Sequence, residues 1–257
     1  MNKHLILAFT LALTPALRAE GPADDVKTAV KKLTEGGSYS WTTSSPGRDG
    51  GSGGMSVEGR TDISGVVCLK TTFGDRTSES VIKAGKAAVK TDAGWKSGEE
   101  LVAASGNDGG GGGRRGGAFA ARMAENFKTP AAEVETLAAG AKELKKDGDV
   151  ISGDLSEDAA KARLTFGGGR RGGDNNNAPP APSNAKGNVK FWIKDGNLAK
   201  YEVTVSGSFE RNGESRDFSR TTTTDLKGHG TAKLEIPAEA TAKHPAGDSK
   251  PEATKSR

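Results

Sequence analysis

Two blocks of this chain alternate polar and apolar residues with a period of two, and turn pairs cut each block into short runs. That pattern leaves an antiparallel meander as the arrangement the chain can adopt. In the first block Tyr39, Trp41 and Thr43 fall on one side, and Ser38, Ser40 and Thr42 on the other. The same habit continues through residues 55–63 (Met55, Val57, Ile63), 66–73 (Val67, Leu69, Phe73), 77–83 and 86–91, with reversals at Ser64-Gly65, Gly74-Asp75 and Ala84-Gly85. In the second block Val189, Phe191 and Ile193 alternate with Lys190, Trp192 and Lys194. Asp195-Gly196-Asn197 then reverses the chain, and Tyr201, Val203, Val205 and Phe209 line the returning strand. Asn212-Gly213 is the strongest hairpin signal present. It leads into residues 214–226 and a closing strand at Thr231 to Ile236.

Around these blocks the period changes to that of a helix. Val26, Val30 and Leu33 form one stripe behind the acidic start Asp24-Asp25, closed by Gly36-Gly37. In the middle of the chain Leu101 to Ser105 reads as helical. Phe119, Met123 and Phe127 recur at i, i+4 and i+8. After Thr129-Pro130 a further stripe of Val134, Leu137, Ala141 and Leu144 follows. A strand at Val150 to Leu155 leads to Ser156 as N-cap and a brief helix through Leu164.

The first nineteen residues have a different purpose. Lys3 precedes an apolar run from Leu5 to Leu13, and the segment closes on the small residues Ala16 and Ala19. That is the layout of a cleavable secretory signal, and the run is about half of what a spanning helix needs. With residues 1–19 removed, the formal charge of +4 falls to +2. A nearly neutral chain gives no bulk attraction to nucleic acid, and no transmembrane segment is expected after cleavage. Localisation is therefore expected to be periplasmic or extracellular. Cys68 is the single cysteine and stands in an apolar run as a small hydrophobe, so no internal disulfide exists.

The heptad GGGRRGG occurs twice, at Gly111 to Gly117 and at Gly167 to Gly173. Each copy satisfies a dinucleotide-binding glycine pattern in form, but neither has the strand before it and the helix after it that this pattern needs. Without an aromatic residue inside either copy, single-stranded nucleic acid is not the expected partner. The inserts, 105–117 and 167–187, read as solvated loops able to meet an envelope protein or an anionic surface. Residues 20–237 then form a single α+β domain, and the Ala, Lys, Pro and Glu rich stretch 238–257 reads as a disordered tail.

Catalytic chemistry finds no anchor in the sequence. His229 lies in a Gly-His-Gly turn and His244 in the tail, and no nucleophile elbow, zinc-protease motif, phosphate loop or cysteine pair is present. Asp147, Asp149 and Asp154 suggest a calcium loop, but Ile151 occupies a coordinating position and the closing glutamate is missing. They read as turn and cap residues. No catalytic residue, metal site or cofactor is expected, and the chain is read as a non-enzyme.

Two stretches, Val150 to Leu164 (VISGDLSEDAAKARL) and Asn188 to Pro237, together with the element order, resemble the periplasmic lipoprotein-carrier superfamily, of Lol type and mycobacterial LppX-like. The resemblance implies a curved antiparallel half-barrel sheet with helices covering its concave face and an acyl-chain ligand between them. On that reading Tyr39, Trp41, Met55, Leu69 and the strands carrying Phe191, Tyr201 and Val203 floor the cavity. Phe119, Met123, Phe127, Val134 and Leu137 roof it. The two inserts and the threonine-rich stretch 219–225 depart from the pattern. The competing reading is an envelope interaction or structural module with a filled core and no ligand, and a connected apolar cavity separates the two.

Overall fold

The computed structural model describes residues 21–47, 54–106, 112–165, 182–211 and 213–244. The expected signal segment, the second glycine-arginine copy and residues 245–257 lie outside the described residues.

The chain opens with α1 (Pro22–Glu35), which buries the expected stripe Val26, Ala29, Val30 and Leu33. Pro22 in its first turn and Asp24, whose carboxylate accepts from the Gly21 amide, set its start. A meander follows: β1 (Tyr39–Ser45), β2 (Met55–Thr61), β3 (Val67–Phe73), β4 (Arg76–Lys83), β5 (Lys86–Thr91) and β6 (Gly94–Ser97). The helical middle comprises α2 (Gly98–Gly106), α3 (Gly112–Glu125) and α4 (Pro130–Gly140). Next come β7 (Lys145–Asp147), β8 (Val150–Asp154) and α5 (Glu157–Thr165), then the long strands β9 (Ser183–Lys194), β10 (Asn197–Arg211) and β11 (Glu214–Lys227), and last α6 (Ala238–Thr241).

Among the described residues the eleven strands form one antiparallel sheet in the order β6-β5-β4-β3-β2-β1-β11-β10-β9-β8-β7. The two blocks join where β1 pairs with β11, in the register Trp41↔Leu226 and Thr43↔Thr224. The sheet is open, an α+β half-barrel with β6 and β7 at its edges. Its β9–β10 reversal uses Asp195 and Gly196, both at positive φ (52° and 71°), the combination a two-residue turn between twisted strands requires.

On the inner face α1 and α5 pack on β9 and β10, while α2 and α3 pack on β4 to β6. One apolar cluster runs through this layer, from Val30 and Leu33 through Trp41, Leu69, Val134 and Leu137 to Phe191 and Tyr201. A smaller cluster on the outer face joins Val66, Val81, Ala88 and Trp95 to Ala240 of α6.

Five expectations are corrected here. Gly112 to Gly117 of the first glycine-arginine copy are the opening turns of α3, where a loop was expected. Gly117 lies so close to α2 that an added Cβ would come within 3.1 Å of Leu101, so the lack of a side chain serves the packing of two helices. The α4 stripe stops at Gly140 because Ala141 turns extended (ψ 138°) and bridges Leu155, leaving Ala141 and Leu144 off the helix. Strand β9 begins at Ser183, inside the span assigned to the second insert. Thr231 to Ile236 form no strand: Thr231 and Ala232 close a turn on the Gly228 carbonyl, and Leu234 then presses onto the outer face. Within the expected tail, residues 238–244 are ordered. Ala240 is fully buried, and Lys243 reaches Glu100 of α2 at 2.9 Å.

Candidate functional site

Register places the inner-face residues in rows across the sheet. One row reads Leu69, Gly59, Trp41, Leu226. The next reads Thr71, Val57, Thr43, Thr224, Tyr201, Phe191, Ile151. A third carries Phe73, Met55 and Ser45 on one block. Thr222, Val203 and Val189 align across the other. The inner face is thus apolar with a strip of threonines through its middle.

The gap between the two helix groups is filled by aromatic side chains. The Trp41 indole lies across β2 directly over Gly59, where any Cβ would collide with the ring. Phe127, on the non-helical link between α3 and α4, stacks on Trp41 with centroids 5.8 Å apart and planes 13° from parallel. Tyr39 adjoins the same indole at 5.6 Å. Burial pushes the Tyr39 phenol up, against the opposite pull of hydrogen bonds from Thr129 and the Ala131 backbone at the start of α4.

Beside the aromatic stack lies a polar cluster. Glu133 of α4 accepts from Arg163 of α5 on one carboxylate oxygen, and from the Tyr201 hydroxyl on the other at 2.5 Å. Both oxygens are engaged, so Glu133 ties two helices to the sheet. Burial first, and then the Glu133 charge, push the Tyr201 phenol well above its ordinary range. Thr43 and Thr224 share a hydroxyl hydrogen bond of 2.8 Å across the β1–β11 seam. Arg220 of β11 lies in the same face, 5.8 Å from the Phe218 ring, and Phe218 meets Phe209 edge-on at 6.3 Å.

Of the residues named from the sequence, Tyr39, Trp41, Leu69, Val134, Leu137, Phe191, Tyr201 and Val203 meet in one buried cluster, with Met55 and Phe127 half-buried against it. Apart from those two, their exposures run from 0% for Val134 and Phe191 to 6% for Leu69. Met123 is 42% exposed, because α3 buries Ala121 and Ala124 instead. Phe119 lies on α3, and its side chain falls outside the described ones.

Sequence reasoning missed Glu133, Arg163 and Arg220, although each had a signal. Glu133 stands three residues after Pro130 and four before Leu137, inside the apolar stripe of α4. Arg163 precedes buried Leu164. Arg220 shares strand parity with Phe218 and Leu226 and therefore faces inward. Among the described residues no cluster of metal-ligating side chains occurs, and no helix is long and apolar enough to cross a membrane.

No protein-family model and no curated protein sequence matches the chain. Among solved structures it is similar to a LolA superfamily protein from Nitrosomonas europaea, at 9% identity and a TM-score of 0.29, over 82% of this chain and 93% of that one. It is also similar to a DUF1329 family protein from Desulfovibrio piger, at 8% identity and a TM-score of 0.28, over 79% of this chain and 91% of that one.

Proposed function

We propose that this is an exported, non-catalytic binding protein that takes up an apolar, chain-like ligand between its sheet and its helices, over the seam formed by Trp41, Gly59, Val57 and Leu69. The observation that carries the reading is the Trp41–Phe127 stack. Helices α2 and α3 sit on one part of the sheet, and α1 and α5 on another. Phe127, which covers Trp41 between them, comes from a four-residue link held to the end of α3 by two backbone bonds, from the Asn126 and Phe127 amides to the Arg122 and Ala124 carbonyls at 3.1 Å each. Rotating that link uncovers an apolar strip that a ligand chain covers in its place. Each Å² of ligand taken from water contributes roughly 25 cal/mol, enough for micromolar binding by one chain after association costs. Export rests on the segment Lys3 to Ala19.

The burial of the inner-layer side chains favours a second reading, an envelope module whose sheet and helices form a plain core. The two separate in one experiment. Protein purified from its own envelope is examined by native mass spectrometry and titrated with a fluorescent fatty acid. Under the binding reading a bound lipid or probe uptake appears, and Phe127→Ala strengthens uptake by removing the side chain the ligand displaces. A folded wild type that carries no lipid and takes up no probe, with Phe127→Ala equally inert, establishes the second reading.

A further inference from the structure

On the inner face the half-buried Arg220 guanidinium stands out among the described residues. Arg220 has no acid partner among the described residues. Its Nε, closed off from solvent, finds no acceptor, and its Nη2 reaches only the Arg163 carbonyl at a marginal 3.5 Å. The nearby guanidinium of Arg163 adds like charge, and the nearest carboxylate of the cluster, Glu133, is already held by Arg163 and Tyr201. A guanidinium stays protonated at any physiological pH, so the half-buried charge persists. Buried donors without acceptors are rare in folded proteins, and each calls for a reason. Burial first, and then the Arg163 charge, work against the charged form of Arg220, and a bound anion acts in the opposite direction.

The surroundings say what kind of anion fits. Arg220 lies six residues along β11 from Leu226, the strand partner of Trp41, a separation of about 20 Å at roughly 3.3 Å per residue. Between the two levels β11 itself presents Thr224 and Thr222 on this face, with Tyr201 and Val203 of β10 on one side and Val57 and Met55 of β2 on the other. Beside Arg220 itself stands the Phe218–Phe209 pair. A threonine strip flanked by apolar side chains and ending at a guanidinium without a carboxylate partner matches an amphiphile with a single anionic head.

We propose that Arg220 receives the oxyanion headgroup, carboxylate or phosphate, of an amphiphile whose chain lies along the inner face toward Trp41. This rests on the ligand-binding reading above and adds the head to it. Arg–oxyanion pairs of this kind form two parallel hydrogen bonds, which engage the orphaned Nε together with one terminal nitrogen.

The test titrates wild type, Arg220→Gln and Arg220→Lys with dodecanoate, dodecyl phosphate, dodecanol, acetate and inorganic phosphate, with thermal unfolding of each variant as the check on folding. In wild type either charged dodecyl probe should bind at least tenfold more tightly than dodecanol, and the tighter of the two identifies the head. Arg220→Gln should erase that preference while leaving dodecanol affinity within twofold, and Arg220→Lys should keep part of it. Equal affinity for charged and neutral chains in wild type, or a preference that survives Arg220→Gln, overturns the headgroup site and leaves chain binding standing. Stabilisation by acetate or phosphate without binding of any dodecyl probe overturns the amphiphile in favour of a small-anion site. No response to any probe removes both readings.

Discussion

Tyr201 donates its phenolic hydrogen to Glu133 across the gap between β10 and α4, at 2.5 Å, while the other oxygen of the same carboxylate holds Arg163 of α5. One carboxylate thus fixes the positions of two helices over the sheet. Tyr201→Phe removes one donor and leaves a charged acceptor short of a partner. The Glu133 side chain is 22% exposed, so water partly replaces the lost donor and the cost falls near the low end for charged hydrogen bonds, about 1–2 kcal/mol. Urea unfolding measures it. Glu133→Ala should cost more, since it strands both Arg163 and Tyr201, and a smaller loss than for Tyr201→Phe would contradict the bridging role.

The same contact makes a pH prediction. The Tyr201 pKa is raised in the folded state, first by burial and then by the Glu133 charge. The folded protein therefore holds this proton more tightly than the unfolded chain does. Its contribution to stability is complete below the ordinary tyrosine value near 10 and is lost as pH rises beyond it. Wild type should lose stability above about pH 10 more steeply than Tyr201→Phe, in paired urea melts from pH 8 to 11. Parallel profiles would place the buried phenol elsewhere.

Gly59 exists to seat an indole. A methyl group at this position falls inside the Trp41 ring, so Gly59→Ala must expel the indole or bend β2. Overpacking of this kind costs about 1–3 kcal/mol. Because Trp41 is 3% exposed, its displacement should shift tryptophan emission to the red along with the lowered melting temperature. Gly65→Ala is the control for emission: nothing lies within 4 Å of its added Cβ, and its positive φ strains only a surface turn.

Much of this architecture is legible in the sequence because period two and turn chemistry are local. The strands from Tyr39 to Thr91, the hairpin at Asp195-Gly196 and the N-caps Thr129 and Ser156 stand where those signals put them. What escaped reading depends on distant partners. Ala141 leaves its helix because Leu155 is there to bridge it. Gly112 to Gly117 wind into α3 against the weak intrinsic preference of glycine for helix, and Gly117 admits the close approach of Leu101 of α2. Phe127 reaches Trp41 as its spacing suggests, but Met123 stays exposed because α3 buries Ala121 and Ala124, which lets the helix lie close to β4 and β5. Periodicity finds a face and cannot tell which neighbour it will meet. The Arg220 charge was hidden for the opposite reason, since a strand rich in threonine and arginine reads as exposed until its parity with Phe218 and Leu226 is counted.

The C-terminal segment from Thr231 to His244 acts as a strap over the outer face, and its removal should be read most directly at Cys68. The thiol sits at 4.0 Å from the Glu235 carbonyl, beside the cluster that Leu234 and Ala240 complete over Val81, Ala88 and Trp95. Burial foremost, then the Asp62 charge, raise its pKa and keep it protonated and slow to react. Deleting residues 231–257 should speed modification of Cys68 by 4,4′-dithiodipyridine at least tenfold and redden Trp95 emission, while the inner layer stays folded. The strap should also loosen in acid. Burial first, and then the Lys83 charge, lower the His244 pKa, and its Nε2 is buried without a partner. A histidine held below its ordinary value near 6.5 contributes stability that is complete above that value and is lost as pH falls through it. Lowering the pH from 7.5 to 5 should therefore raise the Cys68 rate, after correction for the reagent's own pH dependence. His244→Gln should flatten that rise. His229→Gln should not, because His229, lowered by burial and by Lys32, faces α1 at the turn before the strap, whereas the charge that faces His244 is Lys83. A Cys68 rate indifferent to both the deletion and the pH would show that residues 231–244 do not cover this face in solution.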